Sequence, residues 1–164
     1  MSTRINADFN NRVVITPAQY QWVESPIAGV TRMMLDRIGD EIAKATSIVK
    51  YEPNSAFSAH THGGGEEFLV LSGVFEDEHG AYGPGTYVRN PIGSSHTPKV
   101  GSQGAVIFVK LQQFDPRDIQ QKVIDSHQAS WQQGLVDGLH VLPLHDFEHE
   151  HIALVRWAPN TQFS

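Results

Sequence analysis

The chain has 164 residues, of which 40% are apolar and 18% are charged, and its formal net charge is -6. These proportions are typical of a soluble globular domain, or one and a fraction, and they exclude a disordered chain. The absence of cysteine excludes disulfides, cysteine-bound zinc and thiol chemistry. With no run of Lys or Arg, nucleic acid is not expected as a partner.

Residues 1–19 contain no apolar segment of signal-peptide type, and no stretch approaches the length of a membrane span. We therefore expect a cytoplasmic protein without a membrane partner, in which residues 1–19 form an N-terminal arm. Short apolar or alternating runs follow, separated by segments rich in glycine and proline, and this pattern favours an all-β sandwich or barrel. The runs are 29–35, 45–51, 67–71, 86–89 and 105–111.

Two histidines with one residue between them open the segment HTHGGGEEFLVLSG (60–73). In a strand, His60 and His62 would project from the same face, as chelation of a metal ion by two imidazoles requires. Alone, such a pair is more often solvent-exposed than functional. The three glycines that follow permit a tight bend or a close backbone approach, and Glu66 then returns a carboxylate to the same neighbourhood.

A second segment, GTYVRNPIGSSH (85–96), predicts a strand, a turn built on Pro91 and Gly93, and a histidine where the chain re-enters a strand. Three histidines and one glutamate form a ligand set suited to a divalent transition metal, with positions left open for water or a substrate. The predicted ligands are His60, His62, Glu66 and His96. Glu67 is the competing carboxylate, but strand alternation turns it away from Glu66.

Together the two segments resemble the two motifs of the cupin superfamily. The first motif, H-x-H followed by Glu and six residues later by Gly, is matched by His60, His62, Glu66 and Gly73. The second motif, G-x5-P-x-G-x2-H, is matched by Gly85, Pro91, Gly93 and His96. Asn54 replaces a usual glycine and Val100 a frequent asparagine, and neither position supplies a ligand. The resemblance implies a double-stranded β-helix, the cupin jelly-roll barrel.

The run from Gly65 to Pro98 is similar to the ChrR-type cupin, the C-terminal domain of the ChrR anti-sigma factor. This resemblance implies zinc as the bound metal, while iron, manganese or nickel would suit the same ligands. In that family a separate N-terminal domain with His and Cys ligands holds the sigma factor. Since this sequence has no cysteine and almost nothing before the cupin, a sigma factor is not expected as a partner.

Two functions remain open from the sequence. The first is a module that binds or senses a small-molecule ligand or an oxidant through its metal. The alternative is a metal-dependent enzyme acting on a small molecule, either a dioxygenase or an isomerase or hydrolase. No general base can be assigned, because Glu67 is the nearest candidate and is predicted to point away. The identity of the metal would separate the two, since iron favours the oxygenase and zinc favours the sensor.

The chain after the complete unit (20–114) divides into a connector (115–130) and a partial repeat (131–164). The connector suits a helix, with Asp115 as N-cap and Pro116 at the first position, or a loop with one turn. TSIVKYEPNSAFS (46–58) and IALVRWAPNTQFS (152–164) share five identities, and the second copy ends before the histidine pair would begin. We therefore expect an incomplete repeat without a site, whose exposed strand edge docks and forms a homodimer.

Several further side chains are expected to have structural roles rather than functional ones. The acidic run 76–78 beside His79 is expected at a solvated hairpin tip. The histidines in HDFEHEH (145–151) are expected in a solvated hairpin, although a second metal site there is conceivable. Four aromatic residues are expected in the barrel core, namely Phe57, Phe68, Tyr87 and Phe108.

Overall fold

The computed structural model of the chain describes residues 2–162. These residues form fourteen β-strands and one 3-10 helix, η1 (Pro17–Gln19), and contain no α-helix. The strands are β1 (Arg4–Ile5), β2 (Val23–Glu24), β3 (Val30–Gly39), β4 (Ala43–Tyr51), β5 (His60–Thr61), β6 (Glu66–Asp77), β7 (Gly80–Tyr82), β8 (Thr86–Asn90), β9 (Ser95–His96), β10 (Lys99–Leu111), β11 (Lys122–Asp125), β12 (Gln132–Gln133), β13 (Leu139–Phe147) and β14 (Glu150–Trp157). None of the described helices is long and apolar enough to cross a membrane.

The chain divides into two compact units, Met1–Val123 and Ile124–Ser164. In the first unit the main sheet is antiparallel and has the order β1-β3-β4-β10-β6-β8, with β2 paired to β3 and β7 paired to β6. Strands β5 and β9 form a separate two-stranded sheet. This arrangement confirms the all-β jelly roll that the sequence predicts.

The core of the first unit lies between the apolar faces of its long strands. On β10, alternate residues Ala105, Ile107 and Val109 are buried, as expected for a strand with one face towards a core. Phe68 and Phe75 of β6 are 1% and 2% exposed, and their ring centroids lie 4.9 Å apart. Burying side chains of this size stabilises the fold by about 1.5–3 kcal/mol each.

The aromatic prediction for the core holds in part. Phe68 belongs to the core cluster and Phe57 packs against it, but Tyr87 and Phe108 lie outside it. Tyr87 is buried, and its hydroxyl contacts Glu67 rather than the apolar cluster. The reason is strand alternation, because Tyr87 lies one position away from Val88, which does face the core.

The glycines after the histidine pair allow another segment of the chain to pass close by. A Cβ at Gly64 would lie 2.7 Å from the Cα of Gln112, and a Cβ at Gly65 would lie 2.3 Å from Cγ of Phe114. Gly65 also has a φ of +78°, which L-residues rarely adopt. The close approach that the sequence suggested is therefore made by the residues that follow β10.

The helix that the sequence allowed within residues 115–126 does not form. The backbone makes a single turn, in which the Asp118 N–H donates to the Asp115 carbonyl at 3.0 Å, and residues 122–125 are strand β11. Asp115 accepts the Arg117 N–H at 2.9 Å, as an N-cap would, but Asp118 is buried in an ion pair with Arg89 at 2.5 Å. That long-range pair prevails over the local helix-start signal.

The second unit contains an antiparallel sheet of order β12-β13-β14. Its pairing reproduces that of β2-β3-β4. Val30 pairs with Tyr51 and Leu139 with Trp157, and a register shift follows Met34 in β3 and Pro143 in β13. Both copies of the Pro-Asn turn also contain an asparagine in the left-handed conformation, with φ of 59° at Asn54 and 64° at Asn160.

The two segments therefore share backbone geometry as well as sequence. The last two residues of the second copy, Phe163 and Ser164, lie outside the described residues. The histidine-rich run 145–151 spans the end of β13, a turn and the start of β14, so the predicted hairpin is present. The prediction that its histidines are solvated was wrong for His145, which is 1% exposed. At the base of the hairpin His151 and Asp146 form a contact of 2.6 Å on the surface.

Candidate metal centre

The two histidine segments pair directly with each other. Strand β5 lies antiparallel to β9, with His60 opposite His96. The His62 N–H donates to the Ser94 carbonyl at 2.9 Å, and the Gly93 N–H donates to the His62 carbonyl at 2.9 Å. Backbone pairing thus brings His96 next to His60 and His62, which are more than thirty residues earlier in the sequence, and the three ring centroids lie 4.7–5.2 Å apart.

Glu66 joins the three histidines from the first position of β6. It lies opposite Asn90 of β8, whose side-chain amide donates to Glu66 Oε2 at 3.2 Å. The same oxygen lies 3.5 Å from His62 Nε2 and 3.7 Å from His96 Nε2. The structure therefore brings the four predicted ligand residues into one cluster.

The hydrogen bonds of the imidazoles determine which nitrogen atoms face the cluster. His60 Nδ1 lies 3.1 Å from the Ser58 carbonyl, and His96 Nδ1 lies 3.2 Å from Asp77 Oδ2. A carbonyl oxygen and an ionised carboxylate only accept hydrogen bonds, so both Nδ1 atoms carry the ring proton. A neutral imidazole has only one such proton, so the two Nε2 atoms present lone pairs.

Those lone pairs meet at short range. The Nε2 atoms of His60 and His96 are 3.2 Å apart. The Nε2 atom of His62 is buried and has no hydrogen-bond partner among residues 2–162. Two Nε2 lone pairs, a third buried Nε2 atom and a carboxylate oxygen thus converge, an arrangement that a cation would stabilise.

The donor set fits a divalent transition metal. Two metal–nitrogen bonds of about 2.1 Å at a tetrahedral angle place the nitrogens about 3.4 Å apart, close to the observed contacts of 3.2–3.7 Å. Nitrogen and carboxylate ligands together suit zinc, iron, manganese and nickel. His62, Glu66 and His96 are buried, whereas His60 is exposed, so the cluster is accessible from solvent on the His60 side.

Burial also sets the protonation states of the cluster. The pKa of His62 is lowered to about 4, chiefly by this burial and also by the neighbouring His96 and His60. The pKa of His96 is likewise lowered, chiefly by burial. Burial raises the pKa of Glu66 to about 7, against the opposing hydrogen bond from Asn90. The imidazoles of His62 and His96 therefore favour the neutral form that metal ligands require, and the carboxylate of Glu66 lacks a stabilising positive charge.

Glu67 lies on the opposite face of the same strand. Its Oε2 accepts from the Tyr87 hydroxyl at 2.6 Å and from Arg89 at 2.9 Å, and its Oε1 lies 2.8 Å from Lys110 Nζ. This is the outward orientation that strand alternation predicts for the residue next to Glu66. Held by these groups, Glu67 cannot reach a ligand at the cluster.

Two polar residues next to the cluster were not predicted from the sequence to lie there. Asp77 was expected at a solvated hairpin tip, but it is 9% exposed and contacts His96. The prediction was wrong because β7 folds back on β6 and covers the carboxylate. A usable signal was present, since Asp followed by His-Gly at positions 79 and 80 is typical of a turn capped by the aspartate. Asn90, directly before Pro91, was also overlooked.

A cluster of three histidines and a glutamate between paired strands of a small jelly roll is the arrangement of cupin proteins. The family model for the ChrR cupin-like domain matches residues 10–115. The chain therefore belongs to the ChrR cupin-like family. No curated protein sequence matches the chain.

Solved structures with the same fold were also found. The crystal structure of Rhodobacter sphaeroides SigE in complex with the anti-sigma ChrR matches with 24% identity and a TM-score of 0.48, covering 58% of this chain and 51% of the other. The putative glyoxylate-induced protein from Pseudomonas aeruginosa matches with 13% identity and a TM-score of 0.66, covering 91% and 67%. A putative acetylacetone dioxygenase from Methylibium petroleiphilum matches with 18% identity and a TM-score of 0.52, covering 72% and 92%. The present chain spans about half of the matched chain in the ChrR complex. At these identities the two matches with TM-scores above 0.5 show the fold alone.

Proposed function

We propose that the protein binds one divalent transition metal ion through His60, His62, Glu66 and His96. The observation that carries the proposal is the meeting of two Nε2 lone pairs at 3.2 Å beside a third buried Nε2 without a hydrogen-bond partner among the described residues. Zinc is the metal we expect, from the resemblance to the ChrR-type cupin. When bound, it would supply a Lewis-acidic centre with room for a small ligand.

We further propose that this centre serves a ligand-binding or sensing module. The exposed side of His60 gives a small molecule access to the cluster. The ligands come from β5, β6, β9 and the bend between β5 and β6, so a metal ion would connect segments that are otherwise joined by few backbone hydrogen bonds. Binding at the metal would therefore be coupled to the stability of this end of the barrel.

The same access from the His60 side also favours a second function, a metal-dependent enzyme acting on a small molecule. The residue best placed in sequence to act as a base, Glu67, is held on the opposite face by Arg89 and Lys110. An enzyme would therefore have to rely on the metal ion, or on a group of the substrate, for proton transfer. This requirement is the reason that we place the sensing module first.

Elemental analysis of protein purified without added metal tests both functions. We expect about one zinc per chain, lost together with the thermal stability of the barrel on chelation. About one iron per chain, with oxygen consumption on addition of small diketones or similar chelating substrates, would instead support the enzyme. If neither the purified nor the metal-supplemented protein holds metal above the level of a His62→Ala variant, the metal centre is refuted.

We also propose that the protein is a homodimer. In the first unit, β4 pairs with β3 and β10, whereas β14 pairs with β13 and ends the order of its sheet, with no further partner strand among the described residues. An open edge of eight residues is a template for pairing with a second copy. Val155→Lys should dissociate the dimer in sedimentation experiments, whereas Leu135→Lys, at an 86% exposed position in a turn, should not. A monomeric wild type would contradict the proposal.

A further inference from the structure

We propose that Asp77 is a positioning residue that holds His96 in the tautomer required for metal binding. The inference rests on the proposed metal centre and names a residue outside the ligand set. Asp77 Oδ2 lies 3.2 Å from His96 Nδ1, and both side chains are 3% exposed. An acceptor at this place keeps the proton on Nδ1 and leaves the lone pair of Nε2 directed towards Glu66 and His60.

The carboxylate of Asp77 is held in place by the hairpin that it begins. Its Oδ1 accepts the backbone N–H groups of His79 at 2.8 Å and Gly80 at 3.1 Å. The same oxygen accepts the Tyr82 hydroxyl at 3.0 Å. Three donors therefore occupy one oxygen, and the other oxygen is left for His96. A carboxylate fastened in this way sets the orientation of the imidazole ring as well as its tautomer.

This division of contacts predicts what an asparagine would do at the same position. The three donors around Oδ1 require an acceptor, so the amide oxygen would take that place. The amide NH2 would then face His96 Nδ1, which could only accept a hydrogen bond. The ring proton would move to Nε2, the atom that faces the cluster. Asp77→Asn therefore changes few atoms yet blocks one metal ligand.

The test combines two measurements on wild type and Asp77→Asn. Zinc affinity is measured by competition with a chelator of known affinity, and loss of a supporting contact of this kind typically weakens binding by about 10–100-fold. The tautomer of His96 is read from the imidazole ¹⁵N shifts of the metal-free protein at about pH 8, where imidazoles are neutral. We expect the Nδ1–H form in wild type and the Nε2–H form in Asp77→Asn.

Glu76→Gln is the matched control, because it removes one negative charge from the neighbouring position of β6. Glu76 pairs with the exposed Lys99 at 3.2 Å and does not contact His96. This variant should keep wild-type zinc affinity and the Nδ1–H tautomer. An equal loss of affinity in Glu76→Gln would show that charge alone is responsible, and would overturn the assignment of Asp77.

Other outcomes also decide the matter. Zinc affinity within twofold of wild type in Asp77→Asn overturns the inference, as does a loss of affinity with His96 still in the Nδ1–H form. If Asp77→Asn does not fold, the wild-type tautomer alone decides, because an Nε2–H form of His96 would contradict the proposed role. If wild type binds no zinc, the proposed metal function fails, and the tautomers in the two metal-free proteins then show whether Asp77 sets the state of His96.

Discussion

Two adjacent carboxylates of β6, Glu66 and Glu67, are buried on opposite faces in opposite electrostatic surroundings. Glu67 meets the cations Arg89 and Lys110, and Arg89 also pairs with Asp118. Two carboxylates and two cations are thus combined on that outer face. Glu66 meets the amide of Asn90 and the imidazoles of His62 and His96, whose pKa values are lowered.

The difference separates a structural ion pair from a binding site. On the outer face the guanidinium of Arg89 stacks on the ring of Phe114, with Cζ 3.7 Å from the ring centroid. This packing fastens the segment after β10 against the sheet. On the inner face, which carries Glu66, the acceptor atoms of the cluster converge. The negative charge of Glu66 is not offset there by a neighbouring cation. Burial raises the pKa of a carboxyl group that has no neighbouring cation, whereas a metal ion beside it would keep this pKa low.

Removing a histidine from the inner cluster should have the largest effect. His62→Ala and His96→Ala should each reduce bound metal from about one ion per chain to near zero, because each change removes one of the three nitrogen ligands that would hold the ion. The measurement is elemental analysis after gel filtration. His127→Ala, at an exposed position outside the cluster, is the control. Stoichiometric metal in either cluster variant would disprove the ligand assignment.

The second prediction compares the effects of removing the charge of Glu66 and of Glu67. Glu66→Gln should weaken zinc binding by at least about 10-fold, whereas Glu67→Gln should leave it unchanged. Glu67→Gln should instead lower the free energy of unfolding by about 3 kcal/mol, because breaking a buried ion pair leaves a charge without compensation. Zinc competition and denaturant unfolding check the two effects. Equal losses of zinc affinity in both variants would show that the two faces do not have separate roles.

The third prediction concerns the pH dependence of the metal-free protein. Glu66 has a pKa of about 7 when folded, against 4.5 for an unperturbed glutamate carboxyl, so its stabilisation is present below pH 4.5 and is lost as the pH rises through 7. His62 acts in the opposite direction, because its pKa falls from 6.5 to about 4 on folding. Its stabilisation is present above pH 6.5 and is lost as the pH falls through 4.

Because His62 is common to both proteins, comparing wild type with Glu66→Gln isolates the carboxylate. Relative to wild type, the metal-free variant should gain up to about 3 kcal/mol of stability between pH 4.5 and pH 8, at 1.36 kcal/mol per pKa unit. Urea unfolding of chelator-treated protein at several pH values measures this gain. A pH-independent difference between the two proteins would show that Glu66 titrates normally.

The sequence was sufficient for the parts of this picture that depend on local spacing. The positions of His60, His62 and His96, and the opposite orientations of Glu66 and Glu67, follow from strand alternation and the two cupin motifs. The remainder depends on contacts that strand alternation and the two motifs do not reveal. Asp118 forms a buried ion pair with Arg89, which is distant in sequence, instead of continuing a helix. Asp77 is buried because β7 folds back on β6 and places Tyr82 against it, and only the turn signal at positions 79 and 80 points to that contact.

The smallest expected effects come from the two neutral side chains that support the carboxylates. Tyr87→Phe removes a hydrogen bond of 2.6 Å to Glu67 and should cost about 1.5 kcal/mol of stability, with no change in zinc affinity. Asn90→Ala removes the bond of 3.2 Å to Glu66, which at present lowers the pKa of that carboxyl. Its loss should raise this pKa further, so that zinc competes with a more tightly held proton.

Zinc affinity in Asn90→Ala should therefore fall only a few-fold near pH 8 and more steeply as the pH decreases towards 6, because a larger share of Glu66 is then protonated. Competition titrations at several pH values check this slope, and Tyr87→Phe should show the wild-type slope. A steeper slope in Tyr87→Phe, or none in Asn90→Ala, would mean that the outer and inner faces of β6 are electrostatically coupled. The separation of roles between Glu66 and Glu67 would then have to be abandoned, even with the metal ligands correctly assigned.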